Sequence, residues 1–521
     1  HRRRGGPSSM SANRRDFIKF VVAGAVSAGC PIDLSLLSAQ SSAKDSAKVD
    51  GEHNQICHEV RDKGSASFAR PPASARHDVV IVGGGVSGLA AAYRSQHLDF
   101  LLLEKEPHWG GNAYEMEYEG NAYATGSAFL VKDEYAYHFA SEIGLTPLPV
   151  NNSDASILRS ELVLDTWGEG INKMPYPASV RDAFKKFKKE MLAINVEKRG
   201  KELFSLPFSD FLKEYPIELK QWWDNFGPSN WGAASADTAA AIGIYSLQEM
   251  DGESRQDDRY TWPGGLGALT KKLAEILQPK YNERLLTGAT IVAVVPEKEG
   301  VHVTYMRDGA LKTVAAKAVI MATPKFITCR IVEGLPAAQS DAMKQIRYVP
   351  YPVVNLIFDK PVFNGGYDTW CPGENTFTDF IVADWVVQKQ PGYRQKHNII
   401  TCYTPMKEGD RGYLLTEDGC RKIAGDVLTD FQKLMPGMDI DPVEVHIYRR
   451  GHPMYMSTPR LFTEIQPLTR HPMDRIFFAN TDCEGPVSTT NGGILAAQRA
   501  VKQVEARLAG RPMPKPEAVT G

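Results

Sequence analysis

Three glycines punctuate the end of an apolar run. After His77-Asp-Val-Val-Ile-Val82 come Gly83, Gly85 and Gly88 in the pattern G-x-G-x-x-G, followed by the Ala-rich Leu89-Ala-Ala-Ala92. No other feature constrains the fold of this chain so tightly. The β-branched run predicts a strand buried in a parallel sheet, and the stretch after it predicts a helix. Gly83 permits the tight turn, Gly85 lets a backbone approach a pyrophosphate, and Gly88 lets helix pack on strand. Val86 and Ser87 open that helix, whose free N–H groups face the phosphates. The next apolar run, Leu101-Leu-Leu103, ends on Glu104-Lys105, about 20 residues after the first glycine, where a carboxylate accepts hydrogen bonds from a ribose. Strand, glycines, helix, strand and acid in one register predict a Rossmann-type dinucleotide unit in an α/β chain.

The 521 residues, 43% hydrophobic and 23% charged, are enough for two or more domains around substantial cores. A net charge of −2 with no basic or acidic run gives no electrostatic case for nucleic acid. Seven cysteines without a C-x-x-C pair indicate neither a zinc site nor a disulfide framework. At the N-terminus, Asn13-Arg-Arg-Asp-Phe-Ile-Lys19 before the apolar Phe20 to Gly29 resembles a twin-arginine export signal, which implies a periplasmic protein exported folded with its cofactor. Cleavage after Val26-Ser-Ala28 is one expectation, and a lipoprotein anchor at Ala28-Gly-Cys30 the alternative. No other segment is apolar for long enough to span a membrane.

The chain divides into an export signal (1–39), an N-terminal extension (40–76), and a nucleotide domain in three parts (77–144, 262–328, 470–510) interleaved with two mixed regions (145–261, 329–469). Within the extension only residues 54–63 read as structured. Helices are expected from Glu134 to Ile143, Tyr176 to Val196, Phe208 to Gly227 and Gly493 to Leu508. Alternation predicts strands at Thr290 to Val295 and Val301 to Met306, and Asp308-Gly309 predicts a hairpin.

Three separated blocks in the right order resemble the flavin-containing amine oxidoreductase family, over about residues 77 to 508. The first is Gly83 to Gly88 with Glu104, Lys105, Gly110-Gly111-Asn112 and Gly126-Ser127. The second runs from Pro263-Gly-Gly to Ile291 and on through Ala322. The third holds Asp482 and Asn491-Gly492. The resemblance implies FAD, with Ile291 against the adenine, Asp482 on the ribityl chain, and a helix N-terminus at Asn491 and Gly492 facing the pyrimidine end. The fold it implies is an α/β, Rossmann-type FAD-binding domain in a three-layer ββα arrangement with an interleaved α+β substrate-binding domain.

Two departures narrow the expected activity. The family's lysine near flavin N5 falls in Pro352 to Phe358, which holds no lysine, and Asn355 is the nearest polar candidate. The aromatic pair that flanks the amine aligns with Pro453 and Thr489. Both departures weaken the case for an amine, and the missing lysine, which the family uses in reoxidation by oxygen, favours a dehydrogenase, passing electrons to a c-type cytochrome or quinone, over an oxidase. Cys57-His-Glu-Val-Arg-Asp is similar to the leader of exported spermidine dehydrogenases, flavoproteins that also carry haem. That resemblance implies His58 as an iron ligand, with haem either b-type or attached through a single thioether at Cys57. His452 is the expected titratable group at the flavin, with Tyr448 and Tyr455 as pocket walls. A polyamine would need carboxylates along its tunnel, for which Asp165, Glu169, Asp237, Glu253, Asp257 and Asp258 are candidates. The alternatives are a desaturase or dehydroxylase of a hydrophobic isoprenoid, and a non-catalytic flavin or haem electron-transfer subunit; an oligomer is compatible with each.

Overall fold

The computed structural model describes residues 46–250, 258–435 and 440–514; the expected export signal lies outside the described residues, as do Glu253 and Asp257. Two large sheets organise the chain. The first runs in the order Leu285–Leu286, Phe100–Leu103, Ala73–Val82, Ala310–Met321, Gly300–Arg307 and Thr290–Glu297, with Ile476–Phe478 also pairing the end of Ala310–Met321. Its centre is parallel, Ile81 lying beside both Leu102 and Ile320.

Alternation along Val79-Val-Ile-Val82 sends successive side chains to opposite faces. Val79 and Ile81 join Leu89, Leu269, Leu273, Ile494 and Ala497 from the helices Val86–Arg94, Gly267–Tyr281 and Thr490–Leu508. Val80 and Val82 meet Val292, Val303, Met321 and Phe478. The strand Ala310–Met321 is half exposed in its first part and fully buried in its last. Its exposed part pairs antiparallel with Gly300–Arg307 and its buried end pairs parallel with Ile476–Phe478. Asp308 and Gly309 both take positive φ, 52° and 74°, as a two-residue hairpin turn requires.

The second sheet has the order Lys48–Gly51, Glu444–Arg449, Val353–Phe358, Asn398–Tyr403, Asp379–Val382, Asp368–Trp370, Ala155–Leu158 and Glu161–Val163. The helix Glu417–Leu434 covers it through Ile423, Val427 and Phe431. Beside it, Trp167, Trp222, Trp223, Trp231, Phe187 and Phe208 fill a helical layer.

Several expected boundaries move. The expected helix Tyr176 to Val196 is two helices, Ala178–Leu192 and Val196–Leu203, because the Asn195 side chain accepts from Lys198 N and starts a second one. The segment 208–227 breaks before Pro216, and a helix then runs Ile217–Trp231. The last helix starts at Thr490 rather than Gly493, with the Thr489 hydroxyl accepting from Gly492 N. The strand Lys48–Gly51 was not legible: it is a four-residue edge strand held parallel to Glu444–Arg449 by backbone bonds, and its side chains carry no alternating pattern. No described helix is long and apolar enough to cross a membrane.

Candidate active site

One cavity of about 490 Å3 collects most of the expected nucleotide residues: Gly83, Gly85, Val86, Ser87, Glu104, Lys105, Gly110, Gly111, Asn112, Ser127, Ile291, Ala322 and Asp482 all line it. Its floor is backbone. Gly83 sits at φ +105°, a conformation that side chains disfavour. A Cβ on Gly88 would fall onto the Gly83 carbonyl oxygen, so this glycine serves packing and does not line the cavity. Gly85 is different: a Cβ there would find nothing nearer than Gly111 Cα at 3.7 Å. The space over Gly85 is therefore left open by the protein, as a closely approaching pyrophosphate requires. The N-termini of the helices Val86–Arg94 and Thr490–Leu508 both reach this cavity, through Val86 and Ser87 and through Thr489 and Thr490.

Glu104 is 7% exposed, and its carboxylate accepts from Gly84 N and, at 2.8 Å, from Glu106 N. Burial pushes its pKa up, against the pull of Lys105 and the two backbone N–H groups. Each carboxylate oxygen accepts one bond and keeps acceptor capacity, and Glu104 lines the cavity, where ribose hydroxyls would donate. With Ile291 as an apolar wall, this donor and acceptor set fits a dinucleotide. Lys105 is committed elsewhere: its ammonium pairs with Glu106, and although burial opposes the charge, Glu52 and Glu106 outweigh it and raise the pKa.

Asp482 belongs to a buried network that the sequence did not reveal. Its carboxylate accepts from Lys325 Nζ at 2.8 Å, Lys325 N at 2.7 Å and Tyr348 Oη at 2.6 Å. The ammonium of Lys325 is fully buried and also donates to Ala479 O at 2.7 Å. Burial disfavours that charge, but the Asp482 carboxylate more than compensates and Lys325 is held above the ordinary lysine value. Lys325 follows Thr323-Pro324 at the C-terminal end of a parallel strand, the place where α/β sheets bind ligands; that position was the only signal available for it.

Several expected site residues are placed away from the cavity. Asn355 is completely buried inside the second sheet, accepting from the Thr401 hydroxyl at 2.7 Å and donating to Ala124 O at 3.3 Å; it does not line the cavity. Asn491 accepts from Ala136 N at 2.9 Å, and Gly492 packs under Glu484 O. The threonines just before them, Thr489 and Thr490, take the cavity-facing role. Gly126 also stands behind the wall, pressed on the Asn112 carbonyl.

The front of the cavity is formed by Tyr448, Arg450, His452, Pro453 and Tyr455. Tyr448 Oη is 3.0 Å from His108 Nε2, and burial raises its pKa. Tyr455 Oη donates to Gly485 O at 2.9 Å. His452 packs on Phe326 with ring centroids 4.4 Å apart, and burial, then Arg411, push its pKa down to about 4. A ring so reluctant to take a proton is a weak general base.

The N-terminal extension closes one side. Glu52, Asn54, Cys57, His58 and Arg61 all line the same cavity. Burial raises the Cys57 thiol, and burial and Arg61 lower the His58 imidazole. Among the described residues no group of three or more His, Cys, Asp and Glu gathers to hold a metal ion.

Of the carboxylates suggested for a polyamine, Asp165 accepts from Glu169 N at 2.9 Å within its own loop and Asp237 pairs with Arg347 at 3.1 Å. Neither they nor Glu169 and Asp258 line the cavity.

A parallel sheet with a glycine turn, an acid at the end of the neighbouring strand, and a second sheet closing the front define the class: a two-domain dinucleotide-dependent oxidoreductase. Residues 86–505 match the family described as flavin containing amine oxidoreductase, and the chain belongs to that family. It is an FAD-dependent oxidoreductase. The oxidoreductase PigB of Serratia sp. (strain ATCC 39006) is 22% identical over 540 residues, 85% of this chain and 77% of that protein. A chloroplastic protoporphyrinogen oxidase 1 of Spinacia oleracea is 21% identical over 322 residues, 54% of this chain and 56% of that one. Among solved structures, the cyclohexylamine oxidase from Brevibacterium oxydans IH-35A superposes with a TM-score of 0.64 at 16% identity, covering 83% of this chain and 99% of that one. Wild-type putrescine oxidase bound to putrescine gives 0.62 at 16%, with the same coverage. Likeness at this identity speaks for the fold.

Proposed function

We propose that the chain is an exported FAD-dependent dehydrogenase that oxidises an amine and passes the electrons to a periplasmic acceptor such as a c-type cytochrome or quinone. The observation that carries the reading is the single cavity in which a nucleotide cradle and a front wall of Tyr448, His452 and Tyr455 meet. The names of the structural neighbours, putrescine oxidase and cyclohexylamine oxidase, support an amine as substrate. When bound, the flavin supplies the capacity to remove a hydride from a carbon next to nitrogen. The chain's own residues do the rest. Helix N-termini and Gly85 would receive the phosphates, Glu104 would hold the ribose, and the network of Lys325, Asp482 and Tyr348 stiffens the wall where the resemblance puts the ribityl chain. His452, neutral through most of the pH range, leaves an amine to arrive in its neutral form rather than be deprotonated in place.

Export is supported by the twin-arginine pattern at Asn13 to Lys19. A dehydrogenase rather than an oxidase is supported by the strand Val353–Phe358, which carries no lysine and whose Asn355 is turned into the sheet. A polyamine is the less favoured amine. The carboxylates that line the cavity are all engaged: Glu52 by Gly451 N at 2.9 Å, Glu104 and Glu106 as above or by His53, and Asp482 by Lys325. Haem at His58 forms a further part of the proposal, supported by a neutral imidazole and Cys57 on the rim of this cavity. A visible spectrum tests it: a Soret band that survives denaturation means attachment at Cys57, an extractable one means b-type haem, and no band removes the haem.

The test of the activity is anaerobic bleaching of the flavin by amines, followed by reoxidation. The expected result is rapid reoxidation by cytochrome c or a soluble quinone and slow reoxidation by air; equally fast reoxidation by air would make it an oxidase. The likeness to a protoporphyrinogen oxidase favours one second reading, dehydrogenation of a larger hydrophobic molecule, which bleaching by a porphyrinogen or isoprenoid and by no amine would establish.

A further inference from the structure

Arg450 is 3% exposed, yet it lines the cavity. Its Nε donates to Thr125 O at 3.1 Å and its Nη2 to the Thr125 hydroxyl at 2.8 Å. The guanidinium carbon lies 4.2 Å from the Tyr448 ring centroid, over its face. These partners are neutral, and Nη1 bonds to no described protein atom. No carboxylate lies within ion-pair distance of Arg450 among the described residues, whereas the buried Lys325 has Asp482 and the partly buried Arg259 and Arg499 have Asp154 at 2.6 Å and Glu484 at 2.7 Å. A buried guanidinium without an anion is costly, and the cavity is where an anion would arrive.

We propose that Arg450 is the seat for a carboxylate carried by the substrate, so that the molecule oxidised is an amine bearing a carboxylate rather than a simple amine or a polyamine. The inference rests on the reading of this cavity as the place of amine oxidation. Two arrangements favour substrate over the cofactor's phosphates as the source of the anion. The phosphates already have a seat in the first sheet, at Gly83 to Ser87 and the helix N-terminus there. Arg450 instead follows the strand Glu444–Arg449 of the second sheet, on the wall formed by Tyr448, Pro453 and Tyr455. The planar fork of a guanidinium, with two of its donors fixed by Thr125, presents the remaining N–H groups in the geometry that suits a carboxylate. Thr125 thus acts as a positioning residue for it.

The test uses the FAD-loaded full chain and two independent arms. In the first, benzoate is titrated against the resting flavin, with benzyl alcohol as the uncharged control. A saturable shift of the visible band by benzoate alone, weakened by Arg450→Lys and abolished by Arg450→Met, is expected; no shift in the wild type, or an undiminished shift in Arg450→Met, overturns the proposal. In the second, flavin bleaching is followed anaerobically with matched pairs, each an α-amino acid and the amine that lacks its carboxylate. The amino acid should react about 10- to 100-fold faster per molar; parity, or preference for the amine, overturns the proposal while leaving amine oxidation standing. Bleaching by neither member together with a clear benzoate shift retains the carboxylate seat and removes the amine. If both Arg450 variants keep their circular dichroism but are purified without flavin, the anion at Arg450 is the cofactor's phosphate and the proposal fails. Should either variant not fold, the wild-type benzoate titration and the matched pairs decide.

Discussion

The floor of the cavity is made of backbone and its front wall of side chains, and the two respond to different rules. On the floor and just beneath it, Gly83, Gly85 and Gly88 matter for what they lack, and their spacing alone specifies a turn, an opening and a helix contact. On the wall, Tyr448, Arg450 and His452 matter for their charge state and their partners, which come from residues as distant in the chain as His108, Thr125 and Phe326. The difference teaches where a binding site is written locally and where it is assembled only by the tertiary fold.

The largest expected effect sharpens that contrast, because it comes from a side-chain pair, Lys325 and Asp482, buried at the end of the first sheet. Lys325→Met leaves the Asp482 carboxylate buried without its ammonium and should cost about 3–5 kcal/mol, read as a fall in the denaturation midpoint. Adding Asp482→Asn should recover part of the loss. A single variant within about 0.5 kcal/mol of wild type would mean that the pair is not formed.

At the glycine turn, two glycines should separate. Gly88→Ala drives a methyl group into the Gly83 carbonyl and should destabilise the apoprotein by about 1–3 kcal/mol or more. Gly85→Ala meets no protein atom closer than 3.7 Å, so apoprotein stability should hold while FAD affinity falls at least about tenfold, equivalent to about 1.4 kcal/mol. Equal behaviour of the two, by thermal melting and flavin titration, would break the distinction between packing glycine and opening glycine.

Behind the wall, Asn355→Ala orphans the Thr401 hydroxyl and should cost about 1–3 kcal/mol of stability, with flavin reduction unchanged below the melting temperature. A large loss of reduction rate without a loss of stability would return Asn355 to the chemistry.

The smallest effect concerns acid. His452 has its pKa lowered from 6.5 to about 4. Above the higher value both folded and unfolded chains hold it neutral, so its contribution to stability is intact. As pH falls between the two, only the unfolded chain takes the proton and stability is lost. Allowing for solvent screening, His452→Gln should remove about 1 kcal/mol of the acid sensitivity between those limits; denaturation curves at pH values on either side of the window measure it.

These contrasts also explain how much could be read in advance. The parallel strand, its turn, Glu104 and the Asp308-Gly309 hairpin were legible because period, glycine and acid lie within a few residues of one another. The cavity-facing threonines were missed because Asn491-Gly492 lies two residues further into the helix than Thr489-Thr490, and a helix start is poorly marked when Thr, Asn and Gly all follow one another. Asn355 looked exposed to the chemistry only because no partner for it is visible in sequence; Thr401, 46 residues away, supplies it in the sheet. Arg450 stands two residues before His452, and nothing local distinguishes a paired arginine from one that lacks an anion. The strand Lys48–Gly51 had no periodic signal at all.

The central claim is that this cavity clasps FAD through a backbone opening over Gly85. Reconstitution with FAD followed by gel filtration tests it most directly. Wild type should keep one equivalent of flavin, released by heating as the intact dinucleotide, and folded Gly85→Ala should lose it. A wild-type chain that stays colourless, or a Gly85→Ala chain that holds FAD as tightly, would contradict the account.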